Sequence, residues 1–282
     1  MVKSQRPEWR PRIQPIVNER RHTLNFLREI RQFSPVFLDT EIDMTAVQRH
    51  RTAARAADQR FSLVTYILYA AGRTLIRHPE ANAAIQGWTT RPRISLHDTV
   101  NGKVTLDKKL NGQRVVLATI LPGLEHAELI DIQRGLDPFR DGDPDKMPMF
   151  DPVRKLQGLP WPLDRLAYRR VARPLARRGA VLGTFALTSL GHRPVDGFYS
   201  VGGTTITLGV GRVVDRPVVR DGAVVVAPTM RLSLTFDHRV IDGAEAADVL
   251  AELKTALEEF GPAVVPVPAV EQSAKPVLAE RG

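Results

Sequence analysis

Between Pro217 and Phe260 the chain changes its pattern twice, and these changes restrict the fold more than any other stretch. Pro217-Val218-Val219-Arg220 and Ala223-Val224-Val225-Val226 flank Asp221-Gly222. β-Branched residues suit a pleated strand, and Asp-Gly suits the positive-φ positions of a two-residue hairpin turn. Arg231 to Asp237 then alternates polar and apolar residues, as a strand with one buried face does. Ala244 to Phe260 shifts to helical spacing. His238, Asp242 and Gly243 stand between that strand and that helix. A histidine at a strand end has neighbouring backbone groups to fix its tautomer, which leaves one ring nitrogen to take a proton near neutral pH.

The remaining pattern mixes both element types. Asn111-Gly112 is a second hairpin signal, between Gly102–Leu110 and Gln113–Ile120. Phe37 to Asp43, Arg93 to Leu96, Thr184 to Thr188 and Thr204 to Val210 read as strands. His22 to Gln32, Met44 to Ala57 with Thr45 as cap, Ser62 to Arg77 and Ala127 to Leu136 read as helices. The apolar positions of Ser62 to Arg77 are nearly continuous, as in a helix buried on more than one side. Residues 137–162, rich in Pro, Asp and Gly, read as a loop. Leu163 to Arg178 reads as one amphipathic helix that Pro174 weakens near its end. Hairpins and few strict strand–helix–strand units predict an α/β fold, a mixed sheet covered by helices, in a single domain over residues 21–260. Residues 1–20 are expected to be a basic flexible arm, and residues 261–282 a flexible tail.

The 282-residue chain carries no cysteine, which excludes disulfides, thiolate catalysis by the protein and cysteine-bound metals. No metal is expected. No apolar run approaches the roughly 20 residues that span a bilayer. The first residues carry Arg and Pro without an apolar signal core, so a cytoplasmic location is expected. The net charge of +9 is concentrated near the N-terminus and in residues 154–178. Without zinc-finger spacing, aromatic RNA-binding motifs or basic-zipper heptads, nucleic acid is not an expected partner. The basic middle segment, with Trp161, Leu163 and Leu166, fits a solvated helix face, with phosphates of a ligand, an acidic protein or a membrane surface as alternatives.

Asp237-His238-Arg239-Val240-Ile241-Asp242-Gly243, followed by Ala244-Glu245-Ala246-Ala247, resembles the active-site motif of the 2-oxoacid dehydrogenase acyltransferases. These are the dihydrolipoamide acyltransferase catalytic domains, whose fold is chloramphenicol acetyltransferase-like. Gly183-Thr184-Phe185-Ala186-Leu187-Thr188-Ser189-Leu190-Gly191 resembles a second family motif. Leu208 to Arg212, Thr40 to Ala46 and His78 to Ala83 extend the likeness over about residues 20–260.

The resemblance implies a catalytic set of His238, Asp242 and Thr188. His238 would act as general base on a thiol of CoA or dihydrolipoamide. Thr188 would donate to the oxyanion of the tetrahedral intermediate. Ser189 is its neighbour, but strand alternation turns it to the opposite face. Asp242 would brace the histidine loop, and Gly243 would supply conformational freedom. CoA or acyl-CoA is the implied substrate, and no bound lipoyl group is expected on this chain. The twenty residues ahead of the matching region are too few for a lipoyl domain. A lipoyl-bearing protein is therefore an expected partner, unless free acyl-CoA serves instead. The resemblance also implies a homotrimer, alone or in a larger assembly, with His238 of one chain meeting Thr188 of the next. The alternative function is a non-catalytic trimeric scaffold. Lys103 to Leu117 is charged and hairpin-like where the family has a glycine-rich channel strand, which leaves the acceptor open.

Overall fold

The computed structural model describes residues 11–87 and 91–261. Helix α1 (Arg21–Glu29) leads to strand β1 (Pro35–Asp43), then α2 (Thr45–Ala56) and α3 (Leu63–Leu75). Asp43, not Thr45, closes the start of α2. Its Oδ1 accepts from the Thr45 backbone N–H at 2.9 Å and from the Thr45 hydroxyl at 2.6 Å. Ser62 caps α3, its Oγ accepting from Thr65 N at 3.2 Å. As its composition predicts, α3 is buried along most of its circumference.

Strands β2 (Ala83–Gln86) and β3 (Arg93–Leu96) form a separate ribbon. Strands β4 (Gly102–Leu110) and β5 (Gln113–Leu121) form the first hairpin, with Asn111 and Gly112 both at positive φ. Residues 137–162 depart from the expected loop. Helix α4 (Leu129–Asp141) continues through Pro138, and α5 (Asp151–Gly158) follows a short 3-10 turn at Pro148–Phe150. Two effects explain the difference. Phe139 and Phe150 bury themselves against Leu110, Val115 and Leu117 in a second apolar cluster, and Pro152 starts a helix where its missing N–H has no cost. Pro174 splits the expected single basic helix into α6 (Leu163–Ala172) and α7 (Leu175–Leu182).

Strand β6 (Phe185–Ser189) precedes two 15-residue strands, β7 (Ile206–Arg220) and β8 (Ala223–Asp237), joined at Asp221-Gly222. Helix α8 (Gly243–Glu258) ends the described fold. The six-stranded sheet runs β1-β8-β7-β6-β4-β5. The β4–β6 and β6–β7 pairs are parallel, and the other pairs are antiparallel. This is the mixed sheet covered by helices that the sequence predicts.

The two faces of the sheet differ. Val104, Phe185, Leu187, Ile206, Leu208, Leu232, Leu234 and Phe236 point into one core with α3 and α8. Alternation places Lys103, Thr105, Ala186, Thr188, Thr207, Gly209, Ser233, Thr235 and Asp237 on the other side. The segment after β6 crosses this polar face. At Gly209 a Cβ would lie 1.7 Å from the Phe198 carbonyl oxygen, so only glycine lets that backbone approach.

Candidate active site

His238 is the first residue past β8. Its backbone N–H donates to the Ser34 carbonyl at 2.9 Å, which ties the turn to the start of β1. Its ring stacks at a tilt on Phe236, with centroids 5.5 Å apart. Nδ1 lies 3.3 Å from Asp242 Oδ1. The His238 side chain is 47% exposed and that of Asp242 is 87% exposed. Among the described residues no hydrogen bond reaches Nε2, so that nitrogen faces outward with Nδ1 held towards a carboxylate.

Besides Asp242, the turn has a second and buried acid, Asp237. Asp237 is almost fully buried and accepts from the Ser34 backbone N–H at 3.3 Å, the Arg239 backbone N–H at 3.2 Å and Arg239 Nε at 2.9 Å. The Asp237 and Arg239 side chains thus clasp the backbone on both sides of His238. The signal was present in the sequence: an Asp at the start of a turn accepts from the backbone N–H two residues on, and Asp-His-Arg also places an opposite charge there. Asp242 instead occupies the N-cap position of α8, without a side-chain capping bond. Arg178 stands behind the Asp237–Arg239 pair and donates to the carbonyls of Ile85 at 3.0 Å and Gly203 at 3.3 Å. Burial, then the nearby Arg239 charge, lowers its pKa.

Thr188 lies near the end of β6, half-buried on the polar face. Its Oγ1 is 2.6 Å from Thr105 Oγ1 on the parallel neighbour β4. Ser189 follows it and turns to the other side, as alternation predicts. Lys103, two residues before Thr105, is buried, and burial pushes its ammonium down to about 8. Its Nζ donates to the Gly202 carbonyl and lies 4.9 Å from the centre of the Phe26 ring. Nothing in the sequence alone marked it as buried, because its partners come from distant loops.

A single chain does not bring His238 and Thr188 together. Thr188 pairs with Gly209, and Gly209 pairs with Ser233. His238 stands five residues beyond Ser233, or about 17 Å along the strand, and two strand spacings add about 10 Å sideways. The separation is roughly 19 Å. Depressions of about 430 and 510 Å³ lie near Arg55, Arg60 and Arg140, and near Arg49, Arg220 and Lys254. The gap that Asp237 and Arg178 line is only about 10 Å³.

Residues 163–265 match the family model for the 2-oxoacid dehydrogenases acyltransferase catalytic domain. A 52-residue stretch is 50% identical to the dihydrolipoyllysine-residue acetyltransferase component of the pyruvate dehydrogenase complex of Bacillus subtilis, covering 18% of this chain and 12% of that protein. Over 201 residues the chain is 26% identical to the dihydrolipoyllysine-residue succinyltransferase component of the 2-oxoglutarate dehydrogenase complex of Azotobacter vinelandii, covering 71% of this chain and 42% of the relative. The chain therefore spans well under half the length of these relatives. Among solved structures, a probable dihydrolipoamide acetyltransferase from Listeria monocytogenes shares the fold with a TM-score of 0.65 at 18% identity, over 90% of this chain and 99% of that one. The cubic core of a pyruvate dehydrogenase multienzyme complex and the Azotobacter vinelandii dihydrolipoamide acetyltransferase each give 0.65 at 19% identity, over 89% of this chain and 92% of theirs. Residues 163–265 are thus similar to the 2-oxoacid dehydrogenase acyltransferase catalytic domains, and the fold is the one those solved acyltransferase structures have.

Proposed function

We propose that the protein is an acyltransferase that moves an acyl group between a CoA thioester and a thiol, with its active site shared between two copies of the chain. His238 of one copy takes the proton of the attacking thiol on Nε2. The sulfur then bonds to the thioester carbonyl carbon, and the carbonyl oxygen carries the negative charge. Thr188 of the neighbouring copy donates a hydrogen bond from its hydroxyl to that oxygen and keeps its proton. When the intermediate collapses, the original carbon–sulfur bond breaks and His238 returns its proton to the departing thiolate. Thiol in and thiol out leave the proton count unchanged.

The observation that carries this reading is the arrangement of His238: an exposed imidazole on a turn that buried Asp237 and half-buried Arg239 clasp, with one nitrogen directed at Asp242 and the other outward. A base held in this way is pre-oriented for a proton. The gap of roughly 19 Å to Thr188 within one copy favours a second copy as the wall that completes the site. The spacing supports the same residues. The Azotobacter vinelandii enzyme was investigated for the role of a serine, a histidine and an asparagine in its catalytic mechanism, with 52 positions from serine to histidine and four from histidine to asparagine. Here Thr188 precedes His238 by 50 positions, and Asp242 follows by four.

The assembly is a homotrimer, which can build further. The acyl group arrives on free acyl-CoA or on a lipoyl-bearing partner. The test is acyl-CoA turnover by wild type and His238→Ala against thiol, amine and hydroxyl acceptors. Loss of the base is expected to slow the reaction by about 10² to 10⁴. Equal rates in the two proteins would end the catalytic reading and leave the trimeric scaffold.

A further inference from the structure

Thr188 does not stand alone on the polar face. β4 and β6 run parallel with Thr105 and Thr188 in register, and their hydroxyl oxygens are 2.6 Å apart. Each threonine hydroxyl has one proton to give and two lone pairs to receive. If Thr188 points its proton at the oxyanion, the Thr105–Thr188 bond has to run the other way, from Thr105 to Thr188. Among the described residues the Thr105 hydroxyl makes no other hydrogen bond, so no acceptor competes for its proton. Both side chains are β-branched and stiff at χ1, and both are half-buried, so the pair has few other arrangements.

We propose that Thr105 is a positioning residue for the acyl-transfer step. It donates to Thr188 Oγ1, fixes the direction of the Thr188 hydroxyl proton towards the oxyanion, and strengthens that bond by polarising the hydroxyl. A hydroxyl that accepts one hydrogen bond becomes a stronger donor in the next. Without Thr105, the Thr188 hydroxyl is free to turn and its buried lone pair loses its partner. This inference rests on the reading of Thr188 as the oxyanion donor.

The experiment measures steady-state kinetics of the full chain with acetyl-CoA as donor and free dihydrolipoamide as acceptor. Thr105→Val keeps the shape and removes the hydroxyl. The expected result is a fall in kcat of about tenfold, the size of one lost hydrogen bond, with KM within about twofold. Thr105→Ser restores the hydroxyl and is expected to recover kcat to within about threefold. The double variant Thr105→Val/Thr188→Ala is expected to be no slower than Thr188→Ala, because Thr105 acts only through Thr188. Thermal unfolding of each variant separates these effects from loss of folded protein. A slow Thr188→Ala beside a wild-type Thr105→Val overturns this proposal alone. So does a full additional loss in the double variant, or a Thr105→Ser as slow as Thr105→Val. A wild-type rate for Thr188→Ala overturns the reading of Thr188 and this proposal with it.

Discussion

The two faces of the sheet are made by the same strands and obey different rules. On one face Leu208, Leu232, Leu234 and Phe236 meet α3 and α8 in a fully apolar core. On the other, Lys103, Thr105, Thr188, Thr207, Ser233, Thr235 and Asp237 are turned towards a crossing segment and α1. The first face is bound by volume and area. The second is bound by where each proton points, and a buried polar group without its partner costs more than the bond contributes. A sheet that keeps one face apolar can carry chemistry on the other without giving up its core.

Substitutions on each face sharpen this contrast. Asp237→Asn is expected to have the largest effect on stability. It removes the counter-charge of Arg239 beside Arg178 and costs about 3–5 kcal/mol in chemical denaturation. A cost near zero would mean that the clasp around His238 is not structural. Leu234→Ala follows, at about 2–5 kcal/mol of stability, with kcat per folded molecule unchanged. A core substitution that lowered kcat instead would blur the division between the faces. Thr188→Ala should show the opposite behaviour: kcat lower by about 10² to 10³, with little change in the unfolding midpoint.

Lys103 gives a direct reading of pH. Its folded pKa of about 8 lies below the ordinary 10.5, so the unfolded chain holds the proton more tightly. The penalty for burying the charged amine is complete below about pH 8 and fades as pH rises towards 10.5. Wild type should therefore gain stability across that window relative to Lys103→Met. Parallel stability curves for the two proteins would show that Lys103 is charged and fully compensated.

Much of the apolar face could be read from the chain alone, because alternation and helical spacing are local signals. Asn111-Gly112 and Asp221-Gly222 mark both hairpins, and Ser62 marks the start of α3. The placement of His238 just past a strand and of Thr188 within one was legible from the local pattern. Asp242 stands 3.3 Å from His238 Nδ1, and the same turn has a second, buried support in Asp237, which alternation alone places only as a strand residue. The helices within residues 137–162 were hidden for a different reason. They are short, and distant groups hold them. Arg21 NH1 donates to the carbonyls of Gln157 at 2.9 Å and Leu159 at 2.6 Å, and Arg21 pairs with buried Asp164 at 3.0 Å. Such contacts have no sequence period. The same holds for Thr105, whose role depends on a parallel pairing with a strand more than eighty residues away.

The central claim is that His238 and Thr188 act across two copies of the chain, and subunit mixing tests it most directly. His238→Ala and Thr188→Ala chains, each nearly inactive alone, are co-refolded and assayed together. The shared site predicts that activity returns, because some interfaces then join an intact His238 to an intact Thr188. If the mixture shows only the sum of the two residual activities, although mass analysis confirms mixed oligomers, the shared site is contradicted.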